Sequence, residues 1–188
     1  MQHSTDKKEA ISMDKRKLEA QLTELPIAQY DWIDTEELLF SERIRYICRT
    51  ECPMYGKSWA CPPGVGSVEE CHDRCMAFRE ALVITTVTEV NDIADIEETL
   101  ATRAPHEEIT RQVAALLREQ TEEVMVLSTE ACAVCEECAY PDGPCRHPER
   151  MFPCVESHGI IATDLAEKHG IEFFGGNLVT WFSILFFK

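Results

Sequence analysis

The chain has 188 residues, of which 18 are basic and 34 acidic, and its net charge is −16. Its hydrophobic share of 45% is ordinary for a globular protein and is sufficient to form a core. A chain this acidic repels phosphate backbones and anionic membrane surfaces, which argues against binding of nucleic acid or lipid. The charge predicts a well-solvated surface or, as an alternative, a docking face for a basic partner.

Ten cysteines are the unusual feature of the composition. The polar start of the sequence lacks the apolar segment of a secretory signal. The longest apolar stretch, 177–188, is roughly half as long as the ~20 residues that a membrane-spanning helix needs. We therefore expect a cytoplasmic protein, in which thiols stay reduced and disulfides are rare. Ten reduced thiols point to metal binding.

The first predicted elements are an arm and a helix. Residues 1 to about 25 are charged and weakly patterned, which predicts a loose arm or a helix lying on the surface. We therefore expect a polar N-terminal arm over 1–33 ahead of a single metal-binding domain over 34–188. Asp34 and Glu37 have the spacing of a capping box, which predicts a helix over 34–47 that leads into the first cysteines.

The first cysteine-rich segment is a predicted loop. Two adjacent prolines and several glycines in 48–67 cannot continue a helix or a central strand. A second capping box, Ser67 with Glu70, predicts a helix over 68–80. The β-branched residues of 81–87 predict a buried strand after it.

The second half of the chain predicts two more helices and two more strands. Apolar residues at helical spacing predict a helix over 105–119, which a strand over 123–129 follows. The proline-rich segment 131–156 is a second loop, followed by a helix over 158–169 and an aromatic strand over 178–187. This order predicts an α+β fold, an α/β-like sandwich with a small sheet of three or four strands, flanking helices and two cysteine-rich metal loops.

The second group of cysteines has the more specific spacing. Cys132, Cys135 and Cys138 form C-x2-C-x2-C, which is the spacing of the first three cysteines in the bacterial ferredoxin pattern. The next cysteine, Cys145, comes later than in that pattern and lacks its proline. Zinc sites more often use two separated C-x2-C pairs, so this spacing favours iron. Cys145 is the expected fourth ligand, with Cys154 in reserve.

The first group of cysteines is less compact. Cys48, Cys52 and Cys61 are expected to supply three ligands. Cys71 and Cys75 lie four apart on the predicted helix and therefore face the same side. We expect Cys71 to be the fourth ligand, because the helix dipole favours a thiolate in the first turns. Cys75 is expected to be a small buried residue.

Two segments, YGKSWACPP at 55–63 and CAVCEECAYPDGPCRHPERMFPCVESHGI at 132–160, resemble an uncharacterised prokaryotic family of predicted metal-binding proteins. The resemblance covers roughly residues 40–188 and includes the AYPDGPCR run. It implies metal binding and no particular reaction. The cysteines that belong to the family pattern are Cys48, Cys52, Cys61, Cys132, Cys135, Cys138 and Cys145; Cys75 and Cys154 are less constant.

The leading functional hypothesis is an iron–sulfur protein that transfers electrons. Ten cysteines, less one spare in each group, leave the eight thiolates that two [4Fe–4S] clusters require. An acidic electron carrier of this kind fits a redox partner protein with a basic docking face. The eight predicted ligands are Cys48, Cys52, Cys61, Cys71, Cys132, Cys135, Cys138 and Cys145.

Two alternatives stay open at this point. An enzyme would result if Cys48, Cys52 and Cys61 alone held the first cluster, because one iron would then be open to substrate; Tyr55, Lys57 and Trp59 would line the pocket or pack around the cluster. The other alternative is a zinc-stapled interaction protein, although a core this large does not need zinc to fold. The last strand is expected in the core, with burial in a homodimer as the alternative.

Overall fold

A four-stranded antiparallel sheet forms the centre of the computed structural model, which describes residues 13–188. The strands lie in the order β1-β2-β4-β3, and the two central strands pair along their whole length. This sheet with its helices confirms the predicted α+β class. The strands are β1 (Gln29–Asp34), β2 (Glu80–Glu89), β3 (Val124–Leu127) and β4 (Leu178–Phe187).

Helices cover the sheet, and 3-10 turns at Thr35–Glu37 and Glu156–His158 precede two of them. Among residues 13–188, no helix has both the length and the apolar character needed to cross a bilayer. The helices are α1 (Lys15–Leu22), α2 (Glu42–Glu51), α3 (Val68–Met76), α4 (Ile96–Ala101), α5 (Arg103–Arg118) and α6 (Ala162–Lys168).

Both faces of the sheet are buried. On one face, Leu82 and Leu185 pack in a core with residues of α1 and α5. On the other face, Val83 and Ile184 pack with residues of α3 and α6. Strands covered on both faces read as continuous apolar runs rather than as alternating patterns. This burial explains why β4 was predicted with its observed bounds.

The helix predicted from residue 34 begins later in the structure. The Asp34–Glu37 capping box does form, but it caps only one 3-10 turn. The chain then runs extended, and Phe40 makes an antiparallel bridge to Ile160. The α-helix starts after a new N-cap, Ser41. A real capping signal was therefore assigned to too long a helix.

The segment predicted as an arm contributes to the sheet and the core. The predicted boundary between residues 33 and 34 lies within β1, which pairs with β2. Leu18 and Leu22 of α1 are 0% and 1% exposed. Residues 1–12 of the predicted arm lie outside the described residues.

A buried polar network connects α5 to the sheet and to the start of the second cysteine loop. His106 Nδ1 lies 2.9 Å from Thr86 Oγ1, and its Nε2 lies 2.8 Å from Ser183 Oγ. The Ser183 hydroxyl in turn donates to Ser128 Oγ at 3.0 Å. Burial lowers the pKa of His106 to about 4, so the imidazole is neutral at neutral pH.

Candidate metal centre

The second cysteine loop leaves the edge strand β3 and returns to the same point. The N–H of Ser128 donates to the carbonyl of Pro153 at 2.9 Å, and the N–H of Val155 donates to the carbonyl of Ser128 at 3.0 Å. Arg103 in α5 also donates to the carbonyl of Ala131 at 2.7 Å. Long loops without helix or strand are uncommon in compact domains unless they are functional. These bonds hold both ends of the loop against the sheet.

Four cysteines of this loop line one small cavity, together with Trp59 and His147. Its volume of about 20 Å³ is enough for one ion or one water molecule. Among residues 13–188, no three His, Cys, Asp or Glu side chains are yet arranged as metal ligands around a point. The donors nevertheless suit a metal that binds thiolates. The members of this thiol cavity are Cys132, Cys135, Cys138 and Cys145.

Cys138 has the most favourable environment for a thiolate. Burial acts to raise its pKa, but hydrogen bonds from the backbone amides of Tyr140 and Trp59 and from the Ser58 hydroxyl, with the charge of Arg146, lower it below its ordinary value. A sulfur that accepts several hydrogen bonds is stabilised as the anion. Cys132 differs, because burial raises its pKa.

Trp59 joins the first cysteine loop to the second. Its indole N–H donates to the carbonyl of Gly143 at 2.9 Å. Its ring meets the ring of Tyr140 edge-on, with centroids 4.9 Å apart. Trp59, a candidate for the lining of the first site, lies in the wall of the thiol cavity. Tyr55 instead lies beside α2, and Lys57 is exposed.

Cys48, Cys52 and Cys61 of the first group lie near one another. Cys48 is on α2, Cys52 is its exposed C-cap, and Cys61 is a buried residue of the loop. Burial, and then the charges of Cys52, Cys48 and Cys132, raise the pKa of Cys61 to about 12. Cys61 therefore interacts with sulfurs of both groups and lies between them.

Cys154 lies on the side of the first group. Burial raises its pKa, and the charges of Glu156 and Cys61 act in the same direction. Glu156 also raises the pKa of Cys48, after burial and Cys52. The 3-10 turn that follows Cys154 packs against α2. Cys154, which the sequence placed in reserve for the second group, thus interacts with Cys61 and shares the neighbour Glu156 with Cys48.

Cys71 and Cys75 are on the buried face of α3, each with 0% exposure. The Nη2 atoms of Arg74 and Arg45 lie 3.0 Å and 3.4 Å from Cys71 Sγ. Burial raises the pKa of Cys71, and both arginines act to lower it. Cys75 belongs to the hydrophobic core, as expected for a small buried residue. The immediate polar partners of Cys71 are thus arginines, and its role as a ligand stays a prediction.

Sequence reasoning missed Ser58 as a partner of the second group. It lies 80 positions before Cys138 in the chain, and its hydroxyl is a hydrogen-bond donor to that sulfur. The only signal was its place in the YGKSWACPP segment, which carries part of the family resemblance. No spacing rule connects two loops that meet only in the folded chain.

The antiparallel α+β fold and the thiol cavity define a cysteine-rich protein whose donor set suits a metal. A family profile described as "Predicted metal-binding protein (DUF2284)" matches residues 31–187, and the chain belongs to this family. The match includes both cysteine groups and confirms the resemblance at the level of the family. Comparisons with curated proteins and with solved structures gave no match.

Proposed function

We propose that the chain is an iron–sulfur protein that binds two [4Fe–4S] clusters and transfers electrons. The observation that carries the proposal is the convergence of four thiols on one cavity, three of them at the C-x2-C-x2-C spacing. A cluster of this type accepts and releases single electrons when it is bound. The ligands of the second centre would be Cys132, Cys135, Cys138 and Cys145.

The surroundings of the second centre support this role. Hydrogen bonds to Cys138 favour its thiolate form. Hydrogen bonds to cluster sulfurs also help to set a reduction potential. The ring of Trp59, which lines the thiol cavity, packs against the ring of Tyr140. The chain itself thus supplies a partly desolvated and hydrogen-bonded set of thiols.

The first centre would combine Cys48, Cys52 and Cys61 with Cys154. The mutual effects of Cys48, Cys52 and Cys61 on their pKa values support a common site, and Cys154 interacts with Cys61. Cys71 is the alternative fourth ligand, but two arginines already contact its sulfur. Cys154 is the better candidate because it interacts with Cys61, and its own thiol donates to the Glu156 carboxylate at 3.1 Å.

Adjacent centres suit electron transfer within the molecule. Cys61 interacts with Cys132 as well as with the first group, so ligands of the two centres approach each other. Cys52 is exposed and would bring the first centre close to the surface. The net charge of −16 favours a redox partner with a basic docking face.

A zinc-binding structural protein is the second candidate function. The thiol cavity of about 20 Å³ matches one ion, whereas a cluster of four irons and four sulfides requires the loop to widen. A single zinc ion would bind the same four cysteines and would fix the fold of the second cysteine loop without redox chemistry.

Metal analysis of anaerobically purified protein tests the proposal. About eight irons per chain with equal acid-labile sulfide would support two clusters, and about four would support one. A one-electron signal after reduction with dithionite would support electron transfer. Zinc without sulfide would overturn the iron–sulfur proposal in favour of the second candidate.

A further inference from the structure

An open cleft of about 500 Å³ lies beside the thiol cavity, and its size is typical of sites for small molecules. Its walls are mostly apolar and include Val65, Met125, Met151 and Pro153. The two methionines are only partly buried, which leaves their flexible side chains available to a ligand. We call this site the apolar cleft.

The apolar cleft contains one positively charged side chain, Arg74 of α3. Its Nη2 donates to the carbonyl of Val65 and lies 3.0 Å from Cys71 Sγ, which fixes the position of the side chain. Its Nε and Nη1 have no hydrogen-bond partner among residues 13–188. The nearby carboxylate of Glu70 accepts a hydrogen bond from the N–H of Ser67 at 2.7 Å and interacts with Arg74 through its charge, without a hydrogen bond to it. Arg74 therefore has N–H donors available for an anion.

The apolar cleft shares a wall with the thiol cavity. Trp59, Cys145 and Met151 line both spaces. The buried imidazole of His158 adds a polar group to the lining of the cleft. A molecule in the cleft would therefore contact Cys145, a proposed ligand of the second centre.

We propose that the apolar cleft binds a small organic carboxylate, with its charged group on Arg74 and its apolar body between Met125 and Met151. The apolar walls would pack against the apolar part of the ligand, and Arg74 would bind its carboxylate, as is usual in sites for small molecules. In an otherwise acidic chain, Arg74 also identifies the end of the cleft that an anion prefers. The cleft has this character whichever metal the second centre holds.

A matched pair of probes tests the proposal by calorimetric titration of the full chain, purified anaerobically with its metal. 4-Phenylbutyrate and 4-phenylbutanol share one apolar body and differ in charge. We expect the carboxylate to bind about tenfold more tightly than the alcohol, which corresponds to ~1.4 kcal/mol. Equal dissociation constants, or no saturable binding of the carboxylate below about 10 mM, would overturn the proposal.

Variants at two positions in the cleft lining locate the site. Arg74→Gln is expected to remove the preference for the carboxylate and leave the weaker binding of the alcohol. Met125→Trp is expected to weaken binding of both probes because the new ring fills the cleft. Arg150→Gln removes the same charge from an exposed residue outside the cleft lining and should change neither constant. Unchanged binding in both cleft variants would place the site elsewhere.

The metal content of each variant is measured in parallel. A cleft variant that keeps its metal but loses the binding preference supports the proposal for the cleft. Zinc in place of iron would overturn the proposed electron transfer and leave this result valid. If Arg74→Gln loses its fold with the Cys71 contact, the response of Met125→Trp decides the outcome.

Discussion

The two cysteine groups reach their positions in different ways. The second group is local: four thiols from one loop line one cavity, and hydrogen bonds hold both ends of that loop against the sheet. The proposed ligands of the first centre come instead from α2, from the following loop and, with Cys154, from the far end of the second loop. Close spacing in the sequence therefore indicates the thiols of the second group. The thiols of the proposed first centre come together only through the packing of distant segments.

The two groups also differ in their electrostatic environments. Hydrogen bonds lower the pKa of Cys138 despite its burial, whereas burial and neighbouring thiolates raise the pKa of Cys61 to about 12. A thiol must lose its proton to bind metal, so the site around Cys61 has the larger cost of deprotonation. The second group therefore needs less free energy to lose its protons and bind a metal than the site around Cys61 does.

The largest expected effect comes from loss of a ligand in the second group. Cys135→Ser should abolish metal binding at the thiol cavity, because three thiolates and a hydroxyl are a poor site for iron or zinc. Metal and sulfide per chain measure the loss. Cys75→Ala is the control, since Cys75 lies in the core and should keep the full metal content. Unchanged metal in Cys135→Ser would refute the proposed second centre.

A pair of variants decides the membership of the first group. Cys154→Ser should lose the metal of the first centre, while Cys71→Ser should retain it, because Cys154 interacts with Cys61 whereas the sulfur of Cys71 contacts Arg74 and Arg45. The same metal analysis applies to both proteins. The opposite result, with metal lost only in Cys71→Ser, would restore the assignment expected from the sequence.

The pH dependence of stability tests the network beneath the second loop. The folded-state pKa of His106, about 4, is below its value of 6.5 in the unfolded chain. The unfolded state therefore binds more protons between these values, and stability falls as the pH decreases from 6.5 to 4. We expect this residue to account for roughly 2–3 kcal/mol of that fall.

His106→Gln isolates this contribution. The variant should be less stable at neutral pH, since it alters the bonds to Thr86 and Ser183. Its loss of stability between pH 6.5 and 4 should be smaller than that of the natural chain. Urea unfolding at several pH values measures both slopes. Equal slopes would show that the imidazole is not kept neutral by the fold.

The smallest expected effect comes from one hydrogen bond at the second centre. Ser58→Ala removes a donor to Cys138. Because that donor stabilises the more negative, reduced state, its loss should lower the reduction potential by about 20–60 mV, the one-electron equivalent of ~0.5–1.5 kcal/mol. Thr129→Val is a matched control, since it also removes one hydroxyl near the second loop, and that hydroxyl makes no hydrogen bond within residues 13–188. If a redox titration gives Ser58→Ala and Thr129→Val the same reduction potential as the natural chain, Ser58 does not set the potential of the second centre.

Several elements could be predicted from the sequence because their signals are local. The bounds of β4 followed from a continuous apolar run, which is what burial on both faces requires. The β1 strand was missed because it is an edge strand with several exposed or half-buried residues, including two aspartates. The α1 helix is difficult to predict because only two of its residues, Leu18 and Leu22, are buried, which is too few to give a clear helical pattern of apolar residues.

The sequence by itself determined that Cys132, Cys135 and Cys138 lie near one another, since a short C-x2-C-x2-C segment can place its thiols only in one region. Tertiary structure alone decided that Ser58 and Trp59 meet that loop, that Cys154 approaches Cys61, and that the apolar cleft opens beside Cys145. The physical reason is that these contacts join segments far apart in the chain. The distances between these segments depend on how the helices and loops pack against the sheet, which the spacing of residues in the sequence does not determine.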